Sequence, residues 1–450
     1  MRTRGGAAIG LGAITAIALT GCGGGGAASD VDFSADATGT LTAWAFDNAD
    51  DVGQARLDYA AGELDDVTIE LDATAFDAQK FTTRLASGDV PDVVQMDRRY
   101  VAQYAAQELI VPLDECFQAQ EVDPDSRWYP SVVDDVRYDG RVWATPQFYQ
   151  PPAILLNMRV LNAAGISPDQ FDTSKPDQLL AAVAALFQES GGVPTRLGFD
   201  PVATGQAELW ILSQGGTLVD EDGAPTLDDP ANIAGVELLK QIEDAQGGFA
   251  KVKSFSDSFD TFGDDNPFVA DQVAAQVNPQ WYPNVLAPYL DQIELQAVPF
   301  RGVGGQPFAV AGGTAFVIPA GAKNPAAACE WMADITSADA WQAAAEARGN
   351  TLKKDGGINT GLFTGSPEAD QKIRDTWVKP SDNPDFDQVI QTYYEVVDYG
   401  TTFGASPAGQ TIQSELTNAI TAALLGDKSV EDALADAQDA AMRAYEKAAG

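Results

Sequence analysis

Between Thr40 and Leu109 the chain switches repeatedly between the hydrophobic period of a strand and that of a helix, and this alternation restricts the possible folds more than any other feature. Residues 40–46 (TLTAWAF) are a short β-prone run after a glycine, and residues 67–73 (VTIELDA) alternate as a strand does. Phe76, Phe81 and Leu85 then recur at helical spacing, with Lys80 and Arg84 between them. Gly88 and Pro91 end that helix; Val93-Val94 reads as a buried strand ending at Asp97, and Tyr100, Tyr104 and Leu109 continue as another helix. Strand, helix, strand, helix in this rhythm implies an α/β protein with a parallel sheet and helices on its faces.

The pattern restarts after Pro151-Pro152. Residues 153–156 are a strand candidate, 179–187 an alanine-rich helix, and 209–212 an apolar element stopped by Gly215-Gly216. Residues 218–227 (LVDEDGAPTL) read as a hairpin turning near Asp222-Gly223. Asp228-Asp229-Pro230 then caps a helix whose Val236, Leu239 and Ile242 share one face. Residues 315–318 are a buried strand, 325–335 a helix with Trp331 and Ile335 on one face, and 412–447 helical with a break at Gly426.

A length of 450 residues implies two domains. The formal net charge of -39 argues against nucleic acid, whose phosphates need clustered Lys and Arg, and against strongly anionic ligands. Histidine is absent, which removes Ser-His-Asp and Cys-His nucleophile systems, His-ligated zinc and imidazole base chemistry. Beyond Cys22 only Cys116 and Cys329 remain, too few for a cysteine-rich metal site, so no cofactor or metal is expected. Motifs for nucleophilic hydrolysis or for phosphate and dinucleotide binding are missing outside the first residues. The Asp220-Glu221-Asp222-Gly223 run lacks the later ligands of a calcium loop and reads as a turn.

At the N-terminus Arg2 and Arg4 precede an uncharged apolar run over 7–19, which ends in Leu19-Thr20-Gly21-Cys22. That is the layout of a secretory signal, too short to span a bilayer comfortably. The ending resembles a bacterial lipobox, in which the cysteine is lipidated; Gly23 to Gly26, Ala27, Ala28 and Ser29 would then be a flexible tether.

Further segments resemble bacterial extracellular solute-binding proteins. They are Phe81-x-x-Arg84-Leu85-Ala86-Ser87-Gly88-Asp89-x-Pro91-Asp92-Val93-Val94, Leu109-x-x-Pro112-Leu113-Asp114, and Tyr138-Asp139-Gly140-Arg141-Val142-Trp143-Ala144-Thr145-Pro146. Next come Leu156-Asn157 with Leu161 and Ala164-Gly165-Ile166, and then Gly215-Gly216-x-Leu218-x-Asp220-Glu221-Asp222-Gly223. Last are Gly312-Gly313-x-Ala315-x-Val317-Ile318-Pro319 with Lys323-Asn324-Pro325, and Leu424-Leu425-Gly426 with Ser429, Glu431 and Ala433-Leu434. Leu156 departs from the family's tyrosine, and residues 270–276 depart from its Gly-x-Ala-Ala-Met.

The resemblance implies a sugar-type receptor of an ABC importer with a maltose-binding-like, type II fold. Two α/β lobes would be joined by crossover strands and would close on a neutral carbohydrate. The expected division is a signal peptide at 1–21, a lipid-anchored linker at 22–37, a first lobe from 38–148 with 312–345, a second from 149–300 with 346–450, and a crossover at 301–311. The expected partners are the transmembrane subunits of an ABC permease and, through the anchor, the membrane. The chain is expected to act as a monomer at the extracellular face, to bind no nucleic acid and to have no catalytic residues.

Ligands of open α/β sheets sit beyond the carboxyl ends of strands. The candidates there are Trp44, Phe46, Asp97, Arg98, Gln147, Tyr149, Trp281, Tyr282, Gly312 and Gly313, a set that offers aromatic faces to sugar C–H groups and planar polar groups to hydroxyls. Trp281 lies in a proline-flanked loop where the family places a stacking residue. Trp44 is as consistent with core burial as with ligand contact, and Asp97 could simply cap the next helix; Trp331 and Trp341 read as helix packing. The family pattern puts Cys116 and Cys329 in one lobe, where they would pair as a disulfide. A secreted lipoprotein glycoside hydrolase and a non-catalytic adhesin are the alternative readings.

Overall fold

The computed structural model describes residues 31–46, 50–203, 206–310 and 312–449; the expected signal segment, Cys22 and most of the linker lie outside them. Five strands form the first sheet, in the spatial order Val67–Asp72, Gly39–Trp44, Val93–Asp97, Thr314–Val317, Thr145–Gln147. The first three are parallel, and Thr314–Val317 runs antiparallel to both its neighbours. The sheet is therefore mixed rather than wholly parallel. The early rhythm specifies only the β-α-β units; the strand that returns from late in the chain inserts in the opposite sense.

Local chemistry explains these elements. Asp77 accepts a hydrogen bond from the Lys80 amide at the start of helix Ala78–Ser87, and Gly88, at φ 75°, closes its end. Phe81, on that helix, is fully buried. Asp92 ties three distant segments together. One carboxylate oxygen accepts from the Thr42 amide and hydroxyl at 2.9 and 2.8 Å, the other from the amides of Lys323 and Asn324 at 2.9 and 2.8 Å. Two of the family-like segments thus meet on one side chain, whose charge is met by four donors without a cation.

The second sheet has strand Pro152–Asn157 at its centre, antiparallel to Ala275–Pro279 and Leu295–Val298. The central strand is buried along its whole length, so it reads as a continuous apolar run. Asn157 ends it and donates to the Val273 carbonyl and the Asp271 carboxylate, which holds the loop before Ala275–Pro279 in place. Around this sheet a core joins Leu156 of the central strand to Val183, Trp210, Leu239, Leu416 and Leu434 from widely separated helices. The expected break at Gly426 separates Gly409–Leu425 from Val430–Ala449. The expected hairpin at 218–227 is a turn with a single bridge between Val219 and Pro225, and Asp220 accepts from the amides of Asp222 and Ala224.

Two expected boundaries need correction. A division at 345/346 falls inside one helix, Ala338–Asp355, which packs on Asp51–Glu63 of the first lobe; helix Pro367–Trp377 packs on it in turn. Trp341 of that helix, Val52 and Ile373 share one apolar cluster, so the apolar face continues past 345 with no exposed linker to cut it. Only from helix Pro384–Val397, which packs on Leu295–Val298, does the chain rejoin the second sheet. Residues 301–311 are likewise not a simple crossover, because Phe300–Arg301 and Pro307–Val310 pair as antiparallel strands. The chain passes from the first sheet to the second at 148–151, and returns to the first at Thr314 from strand Pro307–Val310, which forms a separate small sheet with Phe300–Arg301 and Gly400–Thr401.

Cys116 and Cys329 form a disulfide, their Cα atoms 5.7 Å apart across a sequence separation of 213 residues. It joins helices Asp114–Ala119 and Pro325–Ile335, and both cysteines are buried.

Candidate ligand-binding cleft

A cavity of about 750 Å³ opens where the two sheets face one another across these crossings. Its first-lobe wall is made by residues just past strand Val93–Asp97. Arg98 is buried there and works as a clamp: Nε donates to Asp135 at 3.1 Å and Nη1 to the Phe148 carbonyl at 2.7 Å. Burial pushes the Asp135 carboxyl up, with Arg98 pulling the other way. Asp97 caps the turn after it, accepting from the Arg99 amide, and also forms a two-point ion pair with the Arg99 guanidinium at 3.1 and 3.0 Å. Arg99 lies 3.8 Å from Glu208 as well.

Gly313 shows why a glycine pair belongs here. Its φ is 154°, and a Cβ would lie 2.5 Å from the Phe148 carbonyl oxygen and 2.6 Å from Arg98 Nη1. Its carbonyl accepts from the Arg98 amide, and that of Gly312 from the Gln150 amide. The glycines hold the two crossings side by side at the cleft wall.

The second-lobe wall comes from strand Ala275–Pro279 and the loop after it. Gln276 and Asn278 point one way from the strand at the two-residue period, towards the cleft, while Ala275 and Val277 face the core. Asn278 donates to Gln276 at 2.8 Å, and Gln276 donates to the Asp200 carboxylate at 2.9 Å. Burial pushes the Asp200 carboxyl up, and the bond from Gln276 lowers it again. Trp281 is 39% exposed and stacks with Phe262, itself 69% exposed, at 6.3 Å between centroids and 11° between planes. Flat apolar surface of this kind, left open at a cavity rim, is ready to cover the C–H face of a ring. Tyr282 contributes an edge only: its hydroxyl accepts from Asn266 and donates to the Thr261 carbonyl, and burial pushes it up to about 12.

Of the sequence candidates, Asp97, Arg98, Trp281, Tyr282, Gly312 and Gly313 line this cavity. The other four do not, and each has another role. Trp44 is 1% exposed, covered by Phe76 and by Lys80, whose ammonium lies 4.7 Å from its ring. Phe46 packs against Phe316 and Trp331 in the first-lobe core. Gln147 is fully buried, accepting from Arg56 and donating to Gln95 and Thr314 at 2.7, 2.7 and 3.1 Å. Tyr149 is buried against Tyr129. Beyond a strand's carboxyl end, the segments packed over it decide whether a side chain meets solvent, and these four side chains are covered by Phe76 and Lys80, by Phe316 and Trp331, by Arg56 and Gln95, and by Tyr129.

Sequence reasoning missed Asp135, Gln150, Asp200, Glu243, Gln276 and Asn278. Signals existed for two sets. Gln276 and Asn278 are polar at alternate positions of an otherwise apolar strand, and Glu243 lies four residues after Leu239, within the apolar stripe of its helix.

The sequence pattern of the family described as bacterial extracellular solute-binding protein matches residues 66–342. The chain belongs to that family. Solved structures agree in fold. A mannobiose-bound protein, CpMnBP1, is 22% identical with a TM-score of 0.70, covering 89% of this chain and 99% of its own. The substrate-binding protein Lmo0181 of Listeria monocytogenes, in complex with cycloalternan, is 16% identical with a TM-score of 0.70, covering 90% and 98%. UgpB of Mycobacterium tuberculosis, in complex with glycerophosphocholine, is 19% identical with a TM-score of 0.68, covering 92% and 100%. No curated protein sequence matches this chain. The fold is thus the two-lobed, maltose-binding-like fold of solute-binding proteins, and the cleft lies where that fold leaves room for a solute.

Proposed function

We propose that this protein is a non-catalytic receptor that closes on a carbohydrate without acidic groups and delivers it to an ABC-type permease. The observation that carries the reading is the exposed Trp281–Phe262 stack at the rim of a cleft whose interior is lined by carboxylates and amides. Such a surface suits a ring with apolar faces and an equator of hydroxyls. Structural relatives bound to mannobiose and to cycloalternan support the same ligand class. A solute that touches both lobes only in the shut form shifts the population towards that form. The acidic balance of the chain disfavours anionic solutes. The Leu19-to-Cys22 ending supports a lipid anchor at the extracellular face, and a monomer suffices for a cleft built within one chain.

The test is a thermal-shift screen of the mature protein against a library of mono- and oligosaccharides without acidic groups, neutral and amino sugars alike, followed by calorimetry and recovery of the sugar. A raised midpoint with saturable one-site binding and intact sugar supports the reading. Cleavage of the sugar would make the protein a glycoside hydrolase, and absence of binding across the library would exclude the ligand class. The anchor is tested separately: Cys22→Ala should release the protein from the membrane fraction or leave it unprocessed.

A further inference from the structure

One carboxyl group in the cleft is left without a partner. Glu243 is 1% exposed and lines the cavity, and neither of its side-chain oxygens has a hydrogen-bond partner among the described residues. Each basic side chain described at the cavity wall is committed elsewhere: Arg98 to Asp135, Arg99 to Asp97, and Lys253 to Asp257 at 2.8 and 2.9 Å. The charged groups that bear on Glu243 are Asp200, across the cleft floor, and Asp244, beside it on helix Pro230–Asp244; Lys253 and Asp257 come from the neighbouring helix Phe249–Ser256 and the turn after it. The amide donors of Gln276 and Asn278 are already turned towards Asp200 and each other.

What the second-lobe floor still offers a ligand is therefore the unpartnered Glu243 carboxyl, which becomes a counter-charge only when a cation is set against it. A hydroxyl could donate one hydrogen bond, but it brings no counter-charge. An ammonium group brings three donors and a positive charge. We propose that this end of the cleft is a subsite for the amino group of an amino-substituted sugar, with Glu243 as its counter-charge and Asp200 as a second acceptor. The inference rests on the carbohydrate reading and names the substituent that reading leaves open.

The chemistry has a measurable signature. Burial, then Asp200 and Asp244, push Glu243 up to about 9, so the empty cleft holds it as a carboxylic acid at neutral pH. Forming the ion pair turns it into a carboxylate: the ligand keeps its ammonium proton, and the Glu243 proton goes to solvent. A hydroxyl ligand releases none. Affinity for the amine then rises with pH until the amine itself loses its proton.

The experiment is calorimetry of the mature protein at pH 7, in two buffers of different ionisation enthalpy. The probes are glucosamine and its β-1,4-linked di- and trisaccharides, against glucose, cellobiose and cellotriose. We expect the best amino sugar to bind about tenfold more tightly than its hydroxyl counterpart, the scale of one charge-assisted hydrogen bond, with about one proton released per ligand. Glu243→Gln should abolish both the preference and the proton release; the wild-type proton count stands even if that variant folds poorly. Equal or tighter binding of the hydroxyl series, or heats independent of buffer, would overturn the inference and leave the carbohydrate reading intact. No binding in either series would also overturn it, while the carbohydrate reading is decided by its own wider library.

Discussion

Trp44 and Trp281 both follow from strands, and both are plausible sugar platforms by position. Trp44 ends strand Gly39–Trp44 and is 1% exposed; Trp281 lies two residues past strand Ala275–Pro279 and is 39% exposed. The difference lies in what comes next. After Trp44 the chain returns through Phe76, Lys80 and Arg84, which close over the indole, and Thr74 accepts a hydrogen bond from its Nε1 at 3.2 Å. After Trp281 the short helix Tyr282–Leu286 begins, with Pro283 in its first turn, and the partner ring, Phe262, is itself exposed. Strand ends place side chains at the cleft, but the covering segment decides which become wall and which become core.

This contrast makes ordered predictions: buried first-lobe residues should set stability, and cleft residues should set affinity. The largest effect is expected from Trp44→Ala, which should cost about 4 kcal/mol of unfolding free energy, the scale of deleting a large buried ring. Chemical denaturation measures it, and a loss below about 1 kcal/mol would place Trp44 with the cleft residues instead. Next comes the double variant Cys116→Ser with Cys329→Ser, expected to cost about 3 kcal/mol because the bond closes a very long loop of the unfolded chain. Its ligand affinity should be nearly that of the wild type, since neither cysteine lines the cavity. Trp281→Ala should reverse the pattern. It should lower sugar affinity by about 2 kcal/mol, or about thirtyfold, with little change in the melting midpoint.

The smallest predicted effect concerns pH. Burial pushes Asp370 up to about 7, against the bonds it accepts from the Thr364 amide and hydroxyl. Burial likewise pushes Asp334 up to about 6. A carboxyl whose folded value lies above its unfolded value binds more protons when folded. Its contribution is greatest below about pH 4 and is lost as pH rises towards 7. The melting midpoint should therefore fall measurably over that interval. Asp370→Asn should flatten the slope; a slope unchanged in that variant would assign the effect to other groups.

Much of the fold was legible because periodicity and end signals agree. Helix Ala78–Ser87 has its cap at Asp77, its apolar Phe81 and its stop at Gly88, all read directly from neighbouring residues. The mixed sense of the first sheet was not legible, because the direction of Thr314–Val317 depends on a return path more than 200 residues after its neighbour Val93–Asp97. The boundary at 345/346 failed for a similar reason: nothing local marks where helix Ala338–Asp355 changes lobe, because it does not. In the site, Trp281 was visible from its two flanking prolines, and the role of Gly313 follows from a close approach of Arg98 that no spacing reveals. Asp200 escaped notice because it becomes a cleft residue only through its parallel bridge with Gln276, in a segment of no regular period.

The central claim, that the Trp281–Phe262 platform and the polar floor form a carbohydrate site while Trp44 belongs to the core, is tested most directly by one calorimetric comparison. The oligosaccharide that most raises the wild-type melting midpoint is titrated into the wild type, Trp281→Ala and Trp44→Phe. The account predicts saturable one-site binding in the wild type, near-equal affinity in Trp44→Phe, and affinity about ten- to a hundredfold weaker in Trp281→Ala, whose midpoint is unchanged. Equal affinities in wild type and Trp281→Ala, or a larger loss from the Trp44 change, would contradict it.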